Sequence, residues 1–156
     1  MAICPDVKKY LEKKGVSYEH ITHPQVFSCI EEAKALGIEA DEIAKNLIIK
    51  IKDRRAFAVL PGAHRLDMHK LREVVGSSYA RLITEEEMGA EFPKYEIGAV
   101  PPLGELFGIP VYVDKRLLDH ETVIFTGGTH IDSIRMNCRD FVNLVNPRVV
   151  DLAEEV

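Results

Sequence analysis

The sequence predicts an α+β domain. Three observations carry this. Short runs rich in β-branched residues, such as Lys45–Lys52, Ala56–Leu60 and Thr122–Thr126, are mixed irregularly with helical periods rather than alternating as βαβ units. Two S/T-x-x-E patterns, Ser28/Glu31 and Thr84/Glu87, mark helix starts. The chain has 156 residues, 46% hydrophobic and 29% charged, which is the size and balance of one globular domain.

Each element has a local reason. Val7, Tyr10 and Leu11 make an apolar stripe on a first helix that Gly15 ends. Ser17–Thr22 reads as a strand, closed by His23-Pro24 because proline restricts its predecessor. A helix follows from Ser28 to Gly37, then a helical turn over Asp41–Ala44. Lys45–Lys52 and Ala56–Leu60 predict a hairpin connected by Asp53-Arg54-Arg55 and closed by Pro61-Gly62. Leu66–Val75 is a helix, Tyr79–Ile83 a short strand, and the helix begun at Thr84 is expected to stop at Gly89. Residues 98–110 hold three glycines and three prolines, which excludes a regular helix and leaves only the edges for strand. Val111–Val113, Thr122–Thr126 and Ile134–Asn137 are strands, Gly127-Gly128 is a turn, and Asp140–Val145 is helical.

Composition narrows the function classes. The three cysteines, Cys4, Cys29 and Cys138, are odd in number and widely spaced, which argues against a disulfide framework. No stretch reaches the roughly 20 apolar residues of a membrane span. The first fifteen residues carry charges where a signal peptide needs an apolar run, so a cytoplasmic location is expected. The six histidines form no H-x-x-x-H pair and the cysteines no C-x-x-C, so no metal site is expected. With no G-x-S-x-G, no G-x-G-x-x-G and no Walker loop, neither a serine hydrolase nor a nucleotide cofactor is expected. The net charge is −5, but from Lys45 to Arg72 eight cations face two carboxylates, a local +6 against −11 elsewhere. Gathered on one surface, that block would attract phosphates; dispersed, it is a solvated face. The run Glu85, Glu86, Glu87, Glu91, Glu96 reads as an exposed acidic helix face and its exit.

Two features could carry chemistry. Strand alternation puts Lys45 on one face with Leu47, Ile49 and Ile51, while Asn46, Ile48, Lys50 and Lys52 take the other, where the lysines look solvated. A lysine on an apolar face must reach an opening, pair with an anion or lower its pKa; the alternative is a strand-end lysine whose stem covers the core. In Gly98-Ala99-Val100-Pro101-Pro102, glycine permits positive φ and the prolines stiffen a backbone whose remaining N–H groups could hold a carbonyl or phosphate. The alternative is a plain crossing between strands.

The pieces EEAKALGI, AKNLIIK, VLPGAHRLDMHKL, GAVPPLG, VYVD and FTGGTH occur in an order that resembles the YbaK and prolyl-tRNA synthetase editing-domain family of aminoacyl-tRNA deacylases. The resemblance runs over nearly the whole chain and implies a single YbaK-like domain over residues 1–156, with a mixed, partly barrel-like sheet covered by helices. It implies hydrolysis, without cofactor, of the ester joining a wrong amino acid to tRNA. Lys45 stands at the family's essential lysine. Gly98, Ala99, Val100 and Pro102 stand in the G-x-x-x-P loop that holds the aminoacyl end. Asn46 follows the lysine as in the branch that removes alanine from proline tRNA, where the cysteine-removing branch more often has threonine. Thr126 and Gly127 border the pocket, Phe27 helps form its apolar wall, and His130 matches a subset of relatives. Pro101 departs from relatives that carry a hydroxyl there.

The resemblance implies mischarged tRNA as partner, together with prolyl-tRNA synthetase, and the central basic block as the contact for acceptor-stem phosphates. In this reading Lys45 anchors a phosphate or the ester as an ammonium, or serves as a base as a free amine. Two other classes fit the same sequence: a non-catalytic module holding a nucleotide or aminoacyl-tRNA, and a protein-interaction domain. Release of free amino acid from mischarged tRNA separates the first reading from both.

Overall fold

The computed structural model describes residues 4–155. Helix α1 (Pro5–Lys14) buries Val7, Tyr10 and Leu11 and ends at Gly15. Strand β1 (Glu19–Thr22) begins two residues later than the sequence pattern. In α2 (Cys29–Leu36) the Ser28 hydroxyl accepts from the Glu31 N–H at 3.1 Å, while the Glu31 carboxylate reaches back to the Phe27 N–H and the Ser28 hydroxyl rather than to the Ser28 N–H. A 3₁₀ turn, Ala40–Glu42, leads into β2 (Ala44–Ile51) and β3 (Arg54–Pro61). The hairpin turn is Lys52-Asp53, with Lys52 at φ 56°; Arg54 and Arg55 belong to the strand, because Lys50 pairs with Arg55 and Ile51 with Arg54.

Helix α3 (Met68–Val75) starts after Asp67, whose side chain accepts from the His69 and Lys70 N–H groups. Strand β4 is only Arg81–Leu82. Helix α4 (Glu85–Glu91) has a complete capping box and runs through Gly89, ending at Phe92, whose ring is buried in the core. The Gly/Pro segment is no regular helix, but one helical turn, α5 (Gly104–Phe107), forms after Pro102. The prolines lie outside it, and a Cβ at Gly104 would collide with the Ile109 carbonyl and the Val111 side chain. Then come β5 (Val111–Asp114), a 3₁₀ turn Lys115–Asp119, β6 (Thr122–Thr126), β7 (Asp132–Asn137), α6 (Cys138–Val145) and β8 (Arg148–Val150). The sequence pattern missed β8. It is held by register with β5 and by the buried Asp114 carboxylate, which accepts from the Leu152 and Ala153 N–H groups at 2.7 and 3.0 Å.

The strands form two sheets among the described residues: a mixed one in the order β4-β2-β3-β5-β8 and an antiparallel one in the order β1-β7-β6. One parallel bridge, Ile43 to Ile124, brings the start of β2 beside β6. Strand β2 lies inside the mixed sheet between β4 and β3, and residues on both of its faces are buried. Ala44 and Ile48 pack with Phe57, Val100 and Phe125; Ile49 and Ile51 pack with Leu60, Leu71 and Leu152. The expected outward face of β2 is therefore corrected: Ile48 is only 3% exposed, and Lys50 leaves the sheet sideways to an ion pair with Glu87 at 2.5 Å.

The basic block is likewise not one free surface. Arg55 forks onto Glu91 at 2.6 and 2.8 Å, Lys50 shares Glu87 with Arg81 from outside the block, and Lys70 meets Asp151 and Glu155. The acidic face of α4 is thus a partner of β2 and β3 rather than simply solvated. Hydrogen bonds from Arg81, then Lys50, then the Thr84 backbone hold the Glu87 carboxyl well below the usual carboxylate range. A depressed folded value means that the stabilisation is complete above the ordinary value of 4.5 and is lost as pH falls through the lower folded value. Glu87→Gln is therefore expected to melt below the parent at neutral pH, with the gap closing towards about pH 2. Melting curves of both proteins over that range test it.

Candidate functional site

Where the two sheets meet, the chain leaves a cavity of about 460 Å³. The start of β2 supplies Lys45 and Asn46, the loop before α5 supplies Gly98 and Val100, β6 ends in Thr126, and the β6–β7 connection supplies His130. Phe27, just before α2, sits at the rim with 69% of its surface exposed and its ring 5.0 Å from that of His130. Seven of the ten residues singled out from the sequence thus line one cavity.

The other three do not. Ala99 is fully buried; its N–H donates to the Glu96 carbonyl at 2.9 Å and its carbonyl accepts from the Thr126 hydroxyl at 2.8 Å. Pro102 is buried behind the loop. Gly127 donates to the Asp132 carbonyl and accepts from the Cys4 N–H. These three brace the site rather than face a ligand. The notion of a set of free loop amides is corrected too. The Gly98 N–H points at the Met88 sulfur, 3.2 Å away, which leaves the Val100 N–H as the one amide of Gly98–Val100 without a partner among the described residues.

Lys45 is half-buried, and its ammonium donates to the His64 carbonyl. Burial lowers its pKa, and Arg65 acts in the same direction, while Cys29 and Asp41 oppose them. Asn46 donates through Nδ2 to the Val100 carbonyl at 3.1 Å, which ties β2 to the loop, and its Oδ1 is buried without a partner. His130 is pinned by its N–H to Glu96 and by Nε2 to the Ile97 carbonyl at 2.8 Å. Cys29 also lines the cavity, but burial pushes its thiol up to about 11, so it is no thiolate nucleophile at neutral pH.

Sequence reasoning missed a polar network on the same wall. His23 Nδ1 faces the Pro24 carbonyl at 2.9 Å and Nε2 lies 2.7 Å from Ser133 Oγ, which in turn lies 2.5 Å from Glu32 Oε2. Beside it, Asp132 holds His20 at 2.6 Å and Thr129 at 2.5 Å. The signal for Glu32 was present: it falls at i+3 from Cys29 and i−4 from Leu36, on the inward stripe of α2. The signal for Ser133 was not, since only the β1–β7 pairing brings it to His23.

Residues 23–144 match the model of the aminoacyl-tRNA editing domain, and the chain belongs to that family. A solved structure described as a candidate trans-editing enzyme for prolyl tRNA synthetase superposes with a TM-score of 0.87 at 28% identity, over 99% of this chain and 100% of that one. The chain is 31% identical over 100 residues to the proline–tRNA ligase of Shouchella clausii (strain KSM-K16), covering 64% of this chain and 17% of the ligase. It is 35% identical over 85 residues to that of Halalkalibacterium halodurans, covering 54% and 15%. It therefore spans about a sixth of the length of these ligases.

Proposed function

We propose that this protein, as one editing domain over residues 1–156, hydrolyses in trans the ester of a small amino acid, such as alanine or cysteine, wrongly joined to proline tRNA. The observation that carries the reading is the convergence on a single cavity of Lys45 and Val100, whose N–H has no partner among the described residues, in a chain of the editing family. An aminoacyl ester is already activated. The protein has to hold the terminal adenosine, polarise the carbonyl and admit a water or the neighbouring ribose hydroxyl. In this reading the Val100 N–H faces the carbonyl oxygen, Lys45 anchors the terminal phosphate or the ester, and Phe27 with His130 flanks the entering adenosine. Side chains that could attack are engaged or neutral: the Thr126 hydroxyl donates to Ala99, and Cys29 keeps its proton. Larger amino acids are rejected by the cavity walls. The same reading places the protein in the cytoplasm, working beside prolyl-tRNA synthetase.

The test is a panel of proline tRNAs charged with alanine, cysteine, proline and leucine, with free amino acid measured over time. Release of alanine or cysteine well ahead of leucine supports the reading; release of none overturns it. Among the described residues no three His, Cys, Asp or Glu side chains converge as a metal-ligand group. Turnover is expected to survive exhaustive chelation, and a loss that zinc or another divalent ion restores would overturn the metal-free mechanism.

A further inference from the structure

Two carboxylates line the cavity, and they differ in what they have left to offer. Asp132 is fully buried with Oδ1 taken by His20 and Oδ2 by Thr129. Glu32 is 4% exposed; Oε2 is taken by Ser133, and Oε1 has no hydrogen-bond partner among the described residues. Glu32 Oε1 is therefore the remaining acceptor of full carboxylate strength on a wall that also carries the Lys45 amine. A cavity with an amine and an open carboxyl matches a ligand with an anionic and a cationic end. The aminoacyl end of tRNA has both, a phosphodiester and an α-ammonium.

Hydrogen counting shows how the network serves such a ligand. The Pro24 carbonyl only accepts, so His23 Nδ1 carries a hydrogen. The two remaining links, His23 to Ser133 and Ser133 to Glu32, need one hydrogen each, and Ser133 owns one. The other belongs to Glu32 or to His23 Nε2, so the network is net neutral either way. Burial raises the Glu32 pKa, with Ser133, His23 and His130 acting against it.

We propose that Glu32 is the specificity-determining acceptor for the α-ammonium of the aminoacyl ester, with Ser133 and His23 as positioning residues behind it. This rests on the editing reading and deepens it. In the arrangement that serves the ammonium, the second hydrogen of the network sits on His23 Nε2, so Glu32 faces the ligand as a carboxylate and the network stays net neutral. His130, Lys45, Cys29 and Asp132 are the other titratable groups around this wall.

The test compares proline tRNA carrying alanine with proline tRNA carrying lactic acid, the same ester with hydroxyl in place of ammonium. Relative to the uncatalysed hydrolysis of each ester, which the electron-withdrawing ammonium already speeds for alanine, the parent protein is expected to favour the alanyl ester at least about tenfold, the worth of one hydrogen bond to a charged group. Glu32→Gln and Ser133→Ala should lower the alanyl rate while leaving the lactyl rate within about twofold. An equal loss on both esters, or no loss on either, overturns the inference alone. Failure of the parent to cleave either ester overturns the editing reading and this inference with it. A second measurement needs no variant: affinity of the unaltered protein for 3′-alanylamido- and 3′-lactylamido-adenosine. A preference of about tenfold for the alanyl compound supports the subsite, and equal affinities overturn it.

Discussion

Lys45→Ala is expected to lower deacylation by at least about a hundredfold while the protein stays folded, the scale seen when one preorganised electrostatic group is removed from a reacting centre. The stability cost is small for a specific reason. The variant loses one hydrogen bond, to the His64 carbonyl, worth about 1 kcal/mol. It also relieves the burial that pulls the Lys45 pKa down, and this offsets part of that loss. The role of the side chain can be read from pH. If the free amine acts as a base, turnover rises with pH through its folded pKa, which lies below the ordinary 10.5; if the ammonium anchors an anion, turnover falls over the same window. Lys45→Arg, which stays protonated throughout, should retain substantial activity only in the second case. Single-turnover hydrolysis against pH, with melting on the same preparations, checks both. Wild-type turnover in a folded Lys45→Ala would remove this residue from the centre of the site.

Gly98→Ala is expected to cost about a hundredfold in turnover and only a few degrees in melting temperature. Gly98 has φ +85°, which an L side chain resists by roughly 1–2 kcal/mol, while its added Cβ would lie an ordinary 3.7 Å from the nearest atom, Cε1 of His130. The penalty is therefore backbone strain, not collision. The loop relieves strain by turning its peptides, and Pro101-Pro102 limit relief on the C-terminal side. The rotation falls on Ala99 and Val100, where the Val100 N–H is the free donor and the Val100 carbonyl holds Asn46. A displaced donor of this kind is worth about 3 kcal/mol in the transition state. A large fall in melting temperature with unchanged turnover per folded molecule would mean that the glycine serves the loop's shape and not the chemistry.

Much of this was legible in the sequence. Helix starts depend on a side chain bonding an N–H two or three residues away, so Ser28 and Thr84 announced α2 and α4 correctly. The end of α4 was misread because glycine permits a helix stop without imposing one; the burial of Phe92, a tertiary contact, set the boundary. Strand β2 was found, but its second face was misassigned. Alternation separates two faces without saying whether both are covered, and Ile48 meets a core built from distant segments. The basic block was counted correctly and its environment was not, since the partners of Lys50 and Arg55 lie 36 or 37 residues away on α4.

Local chemistry determined the helix starts, the hairpin, the stiff Gly98 loop, and the presence of a lysine and a glycine-proline motif whose order resembles the editing family. Those signals survive in sequence because the bonds behind them span only a few residues. Tertiary structure alone decided that Val100, not Gly98 or Ala99, offers the open N–H, and that Ala99, Pro102 and Gly127 brace the site. It alone brought Glu32 from α2, Ser133 from β7 and His23 from the turn after β1 into one network. Ser133 lies 101 residues from Glu32 and 110 from His23, and only burial made their pairing obligatory: a carboxyl, a hydroxyl and an imidazole withdrawn from water must satisfy one another.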